Sequence, residues 1–582
     1  MLQDSRIYRL LPHDLLPLGN GQICLVCEGA SKRLILSLQD IDIIRHLGKR
    51  GSLREFLRRG IYHVLCLPTR VIRLLTLLVE ANVLVEERRH YTARTTAELH
   101  DNTRPLTVII NTADRVASCG RCLASVSSAG NATGELNSLL IVDGSRREEN
   151  SIHLRNQIQA TWKRRDINTM YFGAHERAQV IDYLIRQGFD RQILSFILAE
   201  SQNTFSAGAA RNLSILLTAG RDVLTIDDDA IWRFYAPANP ASSSLSLSGE
   251  RRNWSIYFYP TRQEALQSHS PAVTNVANAA RQILGRRIGQ IAGSWRGEID
   301  DSHACKHMEE SILNGTGLVV AVQVGTIGDS GWHTTELLSA YDEQLAHRFD
   351  ESRSVLDTSL ASREVCACSN TYSINHDANC MAIGLFLHNS APLPPFMPQH
   401  RNEDGVFGAL LRRCLPQGYF AHVPFAMLHD APARHGYRHV HGVRVCEIVL
   451  KLIAETGPAE PLDLGALGLY LTEIAGVPER TWNAYLGRLT ARIQAARIEA
   501  ISGMLRSLTL KNGHARHHLQ RCRDRLIEEL ISRRITICEY EDPVRLKQFL
   551  TGFGEMCKVW PLLRECALQQ TNRLSALGSC PQ

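Results

Sequence analysis

Three consecutive carboxylates, Asp227, Asp228 and Asp229, follow a short apolar run at residues 223–226. Like charges held close together repel, so each carboxylate needs water or a cation beside it. Mg²⁺ and Mn²⁺ prefer oxygen ligands and can bridge a carboxylate to a diphosphate. If the run is a strand, the carboxylates lie at its carboxyl end, where open α/β sheets bind ligands. The pattern predicts a divalent metal site, and the alternative is an acidic turn with Asp229 capping a helix.

Polar residues also follow two other apolar runs that are typical of buried parallel strands. Asn111 and Arg115 come after residues 106–110, and Asp143 comes after residues 139–142. Helical patterns separate the runs, which indicates a parallel sheet with helical crossovers. The carboxyl ends of parallel strands meet at one edge of the sheet, so we expect these side chains to gather beside the three aspartates.

Composition limits the class of protein. A chain of 582 residues has room for three or four domains, and its 44% apolar and 21% charged content is ordinary for a globular protein. The net charge of +6 is small for this length and does not argue for a nucleic-acid partner. No apolar stretch approaches a membrane span, and the first residues lack the layout of a signal peptide, so we expect a cytoplasmic protein. The 16 cysteines are scattered, which favours reduced thiols over disulfides.

Residues 1–95 predict a small first domain. Two strands at residues 23–27 and 33–36 precede a helix over 38–47, and Ser52 with Glu55 forms a capping box for a second helix. A third helix over 70–81, capped by Thr69, and a strand over 83–86 complete a winged-helix order. The alternatives for this order are a plain scaffold and a DNA reader, but the third helix is too apolar to read bases.

This region resembles the peptide-recognition domains related to the pyrroloquinoline-quinone biosynthesis chaperone. The resemblance lies in "LILSLQDIDIIRHL", "SLREFL" and "VIRLLTLLVEANVLVE". It implies that a leader peptide adds as a strand to an exposed sheet edge beside residues 23–27 and 33–36. Arg45, Lys49 and Arg50 would then select acidic partners. A polar linker at residues 97–105 predicts that the domain folds alone.

Residues 104–435 resemble the GT-A nucleotide-sugar glycosyltransferases, in the manner of family 2. The resemblance lies in six ordered segments: "VIINTADR", "LIVDGS", "GAARNLSILLTAG", "LTIDDD", "RNEDGVFGALL" and "FAMLHDAP". It implies a Rossmann-like mixed sheet in an α/β domain, a nucleotide-sugar as donor substrate, and Mn²⁺ or Mg²⁺ as cofactor.

The resemblance also implies roles for particular residues. Those expected at the donor are Asn111, Arg115, Asp143, Gly208, Arg211, Asn212 and Asp228. Those expected at the metal are Asp227, Asp229 and His429. Asp404 or Glu403 would take the proton of the acceptor hydroxyl in an inverting transfer.

Several of these residues have simpler alternatives. Glu403 and Asp404 stand where acidic residues commonly cap a helix N-terminus, here that of a predicted helix over 406–413. A helix N-terminus favours the charged carboxylate, so strength as a base would have to come from burial. His422 is a rival metal ligand to His429.

The stretch between the acidic cluster and Glu403 is longer than a minimal catalytic domain needs. Residues 236–253 are rich in Pro and Ser and predict a mobile lid or linker. Residues 325–333 predict a glycine-bounded tight turn, with an acceptor-lining loop as the alternative. The closely spaced cysteines Cys119 and Cys122, or Cys366, Cys368 and Cys380, lack zinc-finger spacing to a second pair, so structural zinc is not favoured.

Residues 438–582 predict a helical region, with helices over 443–455, 464–475, 480–508 and 516–533. Packing within the monomer is the favoured arrangement, and a homodimer through these helices is the alternative.

Together these features predict a glycosyltransferase whose first domain recruits a peptide or protein acceptor, as in the modification of ribosomally made peptides. The first alternative is a glycosyltransferase for surface polysaccharide or lipid-linked sugar. The second is a non-catalytic binding protein that kept the nucleotide-sugar fold.

Overall fold

The structure is a computed structural model of the full chain. The residues that it describes are 7–11, 13–27, 32–48, 50–64, 67–86, 106–133, 136–162, 167–199, 206–237, 244–249, 254–332, 354, 357–358, 361–376, 380–432, 442–457, 461–507, 513–532, 536–540 and 543–578. The predicted polar linker, Lys49, His333 and most of the predicted lid lie outside these residues. In the described part of the chain, every helix is too short or too polar to span a bilayer.

The first region contains two small antiparallel sheets and three helices. Its strands are β1 (Ile7–Leu10), β2 (His13–Gly19), β3 (Gln22–Cys27), β4 (Leu34–Ser37), β5 (Arg50–Ser52) and β6 (Leu84–Glu86). Its helices are α1 (Leu38–Leu47), α2 (Leu53–Val64) and α3 (Pro68–Glu80). One sheet has the order β5-β1-β6, and the other has the order β2-β3-β4.

The predicted helices of this region are present, but two details differ from expectation. α1 begins after Ser37, whose side chain and Asp40 form a capping box. α3 begins at Pro68 with Leu67 as its cap, so Thr69 lies inside the helix and does not cap it. Proline suits the first helical position because its missing N–H would be unpaired there in any case. β3 is the middle strand of its sheet, so the exposed edges belong to β2 and β4.

A mixed sheet of 13 strands forms the centre of the molecule. Its strands are β7 (Leu106–Thr112), β8 (Leu136–Asp143), β9 (Asn168–Phe172), β10 (Asp222–Asp227), β11 (Ala230–Tyr235), β12 (Leu245–Ser248), β13 (Trp254–Tyr259), β14 (Ile299–His303), β15 (Leu318–Asp329), β16 (Glu364–Ser369), β17 (Tyr372–Asn375), β18 (Leu385–His388) and β19 (Gly418–His429). The main path runs β14-β12-β17-β19-β15-β18-β10-β7-β8-β9. β7, β8, β9 and β10 are parallel, and β18 runs antiparallel between β10 and β15.

Both faces of the parallel part of the sheet are buried. Ile109 and Leu140 belong to one hydrophobic cluster, whereas Val108, Ile110 and Leu139 belong to another. Neighbouring residues of a strand point to opposite faces, so the alternation places one core on each side of the sheet. Continuous apolar strands of this kind are typical of parallel sheets covered by helices. The predicted strands and crossovers of this region are therefore confirmed as a mixed α/β fold.

The helices that accompany the sheet are α4 (Val116–Thr133), α5 (Glu148–Trp162), α6 (Ala174–Arg186), α7 (Arg191–Leu198), α8 (Ala207–Leu217), α9 (Arg262–Gln267), α10 (Val276–Arg281), α11 (Ile288–Ser294), α12 (Lys306–Leu313) and α13 (Glu403–Cys414). α8 precedes β10 directly, and α13 precedes β19. These two helices position most of the side chains described below.

The last region is helical, and it shares a core with the sheet. Its helices are α14 (Val445–Glu455), α15 (Leu464–Gly476), α16 (Glu479–Ser507), α17 (Gly513–Ile531) and α18 (Pro543–Ala576). Trp482 and Trp560 belong to the same cluster as Leu140 of β8, so the helices pack within the monomer as favoured. Four of the helices match predicted ones within three residues, and α18 has no sequence-predicted counterpart.

The first region is docked on the central sheet domain through a buried charge. The Arg9 side chain is 2% exposed and pairs with Asp301 and with Glu309, both of which are buried. Leu313 of α12 packs into the hydrophobic cluster of the first region, and Lys306 pairs with Asp14 at 3.2 Å. Part of the core of this region and its buried arginine are thus completed from elsewhere, and the expectation that the region folds alone stays a prediction.

Candidate active site

The acidic cluster lies where the sequence predicts, at the carboxyl end of β10. Asp227 is the last residue of the strand, and β11 begins at Ala230 directly after Asp229. Asp229 therefore caps no helix, which removes that alternative. Asp228 and Asp229 are each 4% exposed, whereas Asp227 is partly open to solvent.

The pairing of the strands brings the predicted edge residues together. Asn111 is the register partner of Asp227 on β7, and Thr112 is the partner of Asp143 on β8. Arg115, just beyond β7, donates from Nη1 to Asp229 at 2.7 Å and to Asp228 at 3.2 Å. Arg115 therefore contacts two of the three aspartates, whereas Asn111 and Asp143 lie at the ends of the neighbouring strands of the same sheet edge.

His429 ends β19 and lies against the same cluster, because β19 pairs with β11 and places His429 opposite Ala230. Its Nε2 lies 3.0 Å from Asp229 Oδ1, and its Nδ1 lies 2.6 Å from the carbonyl oxygen of Asp329. The rival His422 is seven residues earlier on the strand, about 20 Å away at the rise of a strand. Its Nδ1 faces Asn375 instead, so His422 has no place at this cluster.

The oxygen atoms around His429 favour a positive charge on its ring or beside it. Both ring nitrogens face oxygen acceptors, but a neutral imidazole carries only one N–H. Burial opposes ionisation, yet the Asp229 carboxylate outweighs it and raises the pKa of His429 to about 9. Burial likewise acts to raise the pKa of Asp229, but the hydrogen bond and charge of His429 hold it at about 2. An imidazolium or a bound cation would satisfy the pair equally well.

The pair Asp229–His429 fits a divalent cation as two of its ligands. Metal bonds of about 2.1 Å at a right angle separate two ligand atoms by about 3 Å, which matches the 3.0 Å between Asp229 Oδ1 and His429 Nε2. The described residues contain no group of three or more acidic, histidine or cysteine side chains placed to hold a metal. Asp227, the third expected ligand, is turned to Arg211. A cation here would take its other ligands from phosphate oxygens and water, as Mg²⁺ commonly does.

Arg211 connects two parts of the site. Its Nη2 donates to Asp227 Oδ1 at 2.9 Å, its Nε donates to Glu403 Oε1 at 3.2 Å, and its Nη1 donates to Thr225 at 3.1 Å. The side chain is 7% exposed and lies on α8 beneath the end of β10. The guanidinium thus joins the acidic cluster to the N-terminus of α13.

Glu403 and Asp404 open α13, as the sequence suggests. Asp404 Oδ1 accepts from the Gly405 N–H at 2.9 Å, and its Oδ2 accepts from the Ala382 N–H at 3.1 Å. Burial, together with the neighbouring Asp404, raises the pKa of Glu403 above the ordinary range. Burial also raises the pKa of Asp404, although Arg211 and the two N–H donors act against it. Both carboxyls are therefore shifted towards useful strength as a base.

Asp228 differs from its two neighbours. Its Oδ2 accepts from Thr112 at 2.8 Å, and its Oδ1 faces Arg115. Burial raises the pKa of Asp228 to about 6, and the charges of Asp229 and Asp227 act in the same direction. This side chain holds β7 and the acidic turn together.

Two other predicted donor residues, Asp143 and Asn212, already have protein groups as hydrogen-bond partners. Asp143 is 1% exposed and accepts from Tyr171, Ser151 and the Ser145 N–H at 2.6–2.8 Å. Asn212 is fully buried and exchanges hydrogen bonds with the backbone of Phe396. These contacts give both side chains positioning roles.

Two further predicted donor residues are Gly208 and Asn111. A Cβ at Gly208 would stand 1.8 Å from the Met397 carbonyl oxygen, so only glycine lets α8 approach that segment. Asn111 accepts from Ser214 at 3.1 Å, and its buried Nδ2 has no hydrogen-bond partner in the structure. That amide is a donor still available at the end of β7.

Sequence reasoning missed the strained residues of the site. Asp114, His400 and Asn402 have φ values of 56°, 72° and 67°. A non-glycine residue at positive φ is uncommon, and such strain clusters at functional sites. Asp114 braces the loop after β8 by accepting from Asn150 at 2.9 Å, and His400 and Asn402 shape the turn into α13. No local pattern marks these residues, because asparagine, aspartate and histidine occur in ordinary turns as well.

One other expectation is corrected here. The predicted turn from Gly325 is largely strand, since β15 continues to Asp329. Cys119 and Cys122 are completely buried beside the acidic cluster, and burial raises the pKa of both thiols. They are neutral packing residues of α4.

Comparisons with known proteins add little to this geometry. No family model matches the chain, and no curated protein matches it. A mannosyltransferase from Pyrobaculum calidifontis, solved in complex with GDP-Man and Mn²⁺, is among the similar solved structures. It is 10% identical, the alignment covers 81% of this chain and 93% of that chain, and the TM-score is 0.27. A likeness this weak does not decide the function.

Proposed function

We propose that this chain is a metal-dependent glycosyltransferase that moves a sugar from a nucleotide-sugar donor to a peptide or protein acceptor. The observation that carries the proposal is the meeting of three elements. The end of β10 supplies Asp227 and Asp229, the end of β19 supplies His429, and the start of α13 supplies Glu403 and Asp404. Such an arrangement offers cation ligands and a candidate base close together, joined through Arg211.

The residues at the strand ends suit a diphosphate leaving group. A divalent cation bound there would neutralise the negative charge that grows on the diphosphate as the sugar leaves. Asp229 and His429 would hold it, with Asp227 joining once it parts from Arg211. Arg115, which is 44% exposed beside the aspartates, is placed to meet phosphate oxygens.

The carboxyls of α13 suit proton removal from the acceptor. Inverting transfer needs one base on the face of the sugar opposite the leaving group. Asp404 is the more open of the two carboxyls, whereas Glu403 is 5% exposed and bound to Arg211. We therefore assign the base to Asp404 and an orienting role to Glu403.

In this proposal the acceptor peptide would add to the free edge of β4, beside α3. β4 pairs with β3 on one side, so its other edge can accept an added strand. Arg70 of α3 donates to Ser37 and Asp40, and Lys32 pairs with Glu80, so α3 runs alongside this edge. The exposed apolar side chains beside this edge are Ile35, Leu38, Leu67 and Ile72. Of the two stretches expected at the edge, residues 33–36 belong to the edge strand β4, whereas residues 23–27 form the middle strand β3.

The charged groups at that edge also differ from expectation. Arg45 pairs with Asp42 on the same helix, and Arg50 lies in β5 of the other sheet. Lys32, just before β4, and Arg70 of α3 are basic side chains beside the edge strand. An extended peptide with apolar and acidic residues remains the acceptor that this edge suits best.

Two alternative functions remain to be distinguished from this proposal. A glycosyltransferase for polysaccharide or lipid-linked sugar would use the same strand ends and leave the β4 edge unused. A non-catalytic binding protein would need no base, yet Glu403 is buried and Asp404 is half-buried beside it, at a cost that a mere binding site does not require.

The donor half of the proposal is tested with a panel of nucleoside diphosphates and nucleotide-sugars in the presence of Mn²⁺. We expect one nucleotide to raise the melting temperature and its sugar conjugate to be slowly hydrolysed. Asp229→Ala should abolish Mn²⁺-dependent hydrolysis while the fold is retained. The control is Asp524→Ala on α17, whose carboxylate is exposed and pairs only with Arg523. Unchanged hydrolysis in Asp229→Ala would overturn the metal assignment.

The acceptor half of the proposal is tested by placing a negative charge on the β4 edge. Ile35→Glu places a carboxylate on the β4 edge and should weaken peptide modification at least tenfold without changing donor hydrolysis. Leu16→Glu is the matched control, because Leu16 is similarly exposed on β2 at the opposite edge of the same sheet. Equal effects of the two variants would favour the polysaccharide or lipid alternative.

A further inference from the structure

Arg211 holds more negative charge than one arginine ordinarily neutralises. It contacts Asp227 and Glu403 directly, and Asp404 lies next to Glu403. The guanidinium is buried, with the ring of Phe396 5.9 Å from it. Each of its three nitrogens has a separate partner, which a lysine ammonium could not reproduce in this geometry.

The partners of Arg211 belong to the two halves of the proposed reaction. Asp227 is one of the expected cation ligands, and Glu403 belongs to the acceptor side. A cation approaching Asp227 meets the charge of Arg211, whose guanidinium holds Oδ1 of that carboxylate, and two positive charges within about 5 Å repel. The displaced guanidinium still has Glu403 and Thr225 as partners and stays anchored.

We propose that Arg211 competes with the divalent cation for Asp227 and, when displaced, concentrates its charge on Glu403 and Asp404. Binding of the donor and its cation would thereby change the charge beside the base before the acceptor reacts. Arg211 is a positioning residue in this scheme, since it acts through the carboxylates at either side. The inference rests on the proposed function, because it names how that same site is regulated.

Binding of Mn²⁺ alone tests the competition. Free Mn²⁺ is measured by electron paramagnetic resonance, with the full chain and without nucleotide. Arg211→Gln removes the competing charge, so we expect Mn²⁺ to bind about tenfold more tightly. We expect the same variant to lose at least 100-fold in turnover of the nucleotide-sugar, because its carboxyls at α13 have lost their partner. Tighter metal binding together with slower turnover is a combination that damage to the fold does not produce.

Further variants separate charge from bridging. Arg211→Lys keeps the charge but reaches only one carboxylate, so Mn²⁺ affinity should stay near that of the wild type while turnover stays low. If Arg211→Gln folds poorly, Arg211→Gln with Glu403→Gln removes the buried unpaired carboxylate and should still bind Mn²⁺ more tightly. Arg497→Gln, which breaks a similar pair with Glu447 among the last helices, should change neither quantity.

The outcomes distinguish the two proposals. Unchanged or weaker Mn²⁺ binding in Arg211→Gln, or no Mn²⁺ binding by any variant, would overturn the competition. Tighter binding without hydrolysis of any nucleotide-sugar would support the competition and count against the glycosyltransferase assignment.

Discussion

Asp404 and Glu403 have different hydrogen-bond partners, and this difference bears on which carboxylate takes the proton of the acceptor hydroxyl. Glu403 is turned to Arg211, whereas Asp404 accepts two backbone N–H groups and is more open. Burial raises the pKa of both carboxyls, so access to the acceptor, more than basicity, favours Asp404.

Asp404→Asn should therefore lower turnover by about 10²–10⁴-fold while nucleotide binding is kept. Glu403→Gln should cost less, because it removes an orienting contact and no proton acceptor. Steady-state rates and nucleotide affinities of both variants check this. The assignment is reversed if Glu403→Gln is the inactive variant, and neither residue is the base if both variants turn over normally.

His400 connects the turn before α13 to the last helical region. It is 3% exposed, its Nε2 lies 2.7 Å from the Tyr540 hydroxyl, and burial lowers the pKa of its imidazole to about 4. Because the folded-state pKa lies below the ordinary value of about 6.5, the unfolded chain binds the proton first as the pH falls. The contribution of His400 to stability is therefore full above about pH 6.5 and is lost as the pH falls towards about 4.

The expected loss over that window is about 3 kcal/mol. His400→Asn tolerates the positive φ and carries no titrating group, so it should flatten the dependence of urea stability on pH between about 4 and 6.5. His153→Asn on α5, where the ring is exposed, is the control and should leave the profile unchanged. A wild-type slope in His400→Asn would show that other groups cause the acid sensitivity.

The sequence predicted residue types at the site better than their partners. The positions of Asp227, Asp229, Asp404 and His429 follow from residues that end a strand or open a helix, which are local patterns. That Asn212 and Asp143 are saturated by protein donors depends on distant backbone, such as that of Phe396 for Asn212. No single segment of sequence contains that information.

At the scale of elements, α8 is the piece that aligns the two halves of the site. It carries Arg211 and approaches the segment before α13 at Gly208, where Ala209 N–H donates to the Pro398 carbonyl at 3.1 Å. The approach depends on the missing side chain at Gly208, because an added Cβ would meet the Met397 carbonyl oxygen.

Gly208→Ala should therefore separate α8 from α13, lowering the free energy of unfolding by about 1–3 kcal/mol and lowering activity as well. Gly487→Ala on α16 is the matched control, because nothing lies within 4 Å of the added Cβ. It should raise stability by about 0.5–1 kcal/mol through helix propensity. Urea unfolding of the two variants measures the contrast, and a neutral Gly208→Ala would show that α8 can shift without penalty.

α18 shows why one long helix was missed. Pro561 lies within it, and Gly552 and Gly554 interrupt its apolar pattern. Tertiary contacts compensate: Trp560 donates to the Leu393 carbonyl at 2.8 Å, and Arg564 donates to three backbone carbonyls of the sheet domain. Packing of this kind overrides local propensity, and it is not visible in the helix's own sequence.

At the scale of the whole molecule, the first region contacts the sheet domain through the buried Arg9, and we expect the two to unfold together. Removing one partner of a buried ion pair typically costs about 3–5 kcal/mol. Arg9→Met should destabilise the chain by that order, and calorimetry of the wild type should show one cooperative transition for the first region and the sheet domain together. Arg54→Met is the control, because Arg54 lies on the exposed side of α2. A separate early transition for the first region would indicate independent folding.

Topology explains what else the sequence could and could not reveal at this scale. The apolar runs at residues 106–110 and 139–142 predicted parallel strands because both faces of the sheet are covered. Insertion of the antiparallel β18 between β10 and β15 depends on pairing between residues more than 150 positions apart. The sharing of one core by the sheet and the last helices is likewise a property of distant contacts.

The contacts of α18 also determine how late in synthesis the sheet domain can be completed. Arg564 reaches the Ile215 carbonyl at the end of α8 across 349 positions of sequence, and the Gly578 carbonyl accepts from the Tyr171 N–H on the edge strand β9. A ribosome adding about 5–20 residues per second needs roughly 20–70 s to make that interval. During this time the back of the sheet and its edge are exposed on the nascent chain. We expect the nascent chain to need a chaperone on those surfaces, or delayed folding, until α18 has been made.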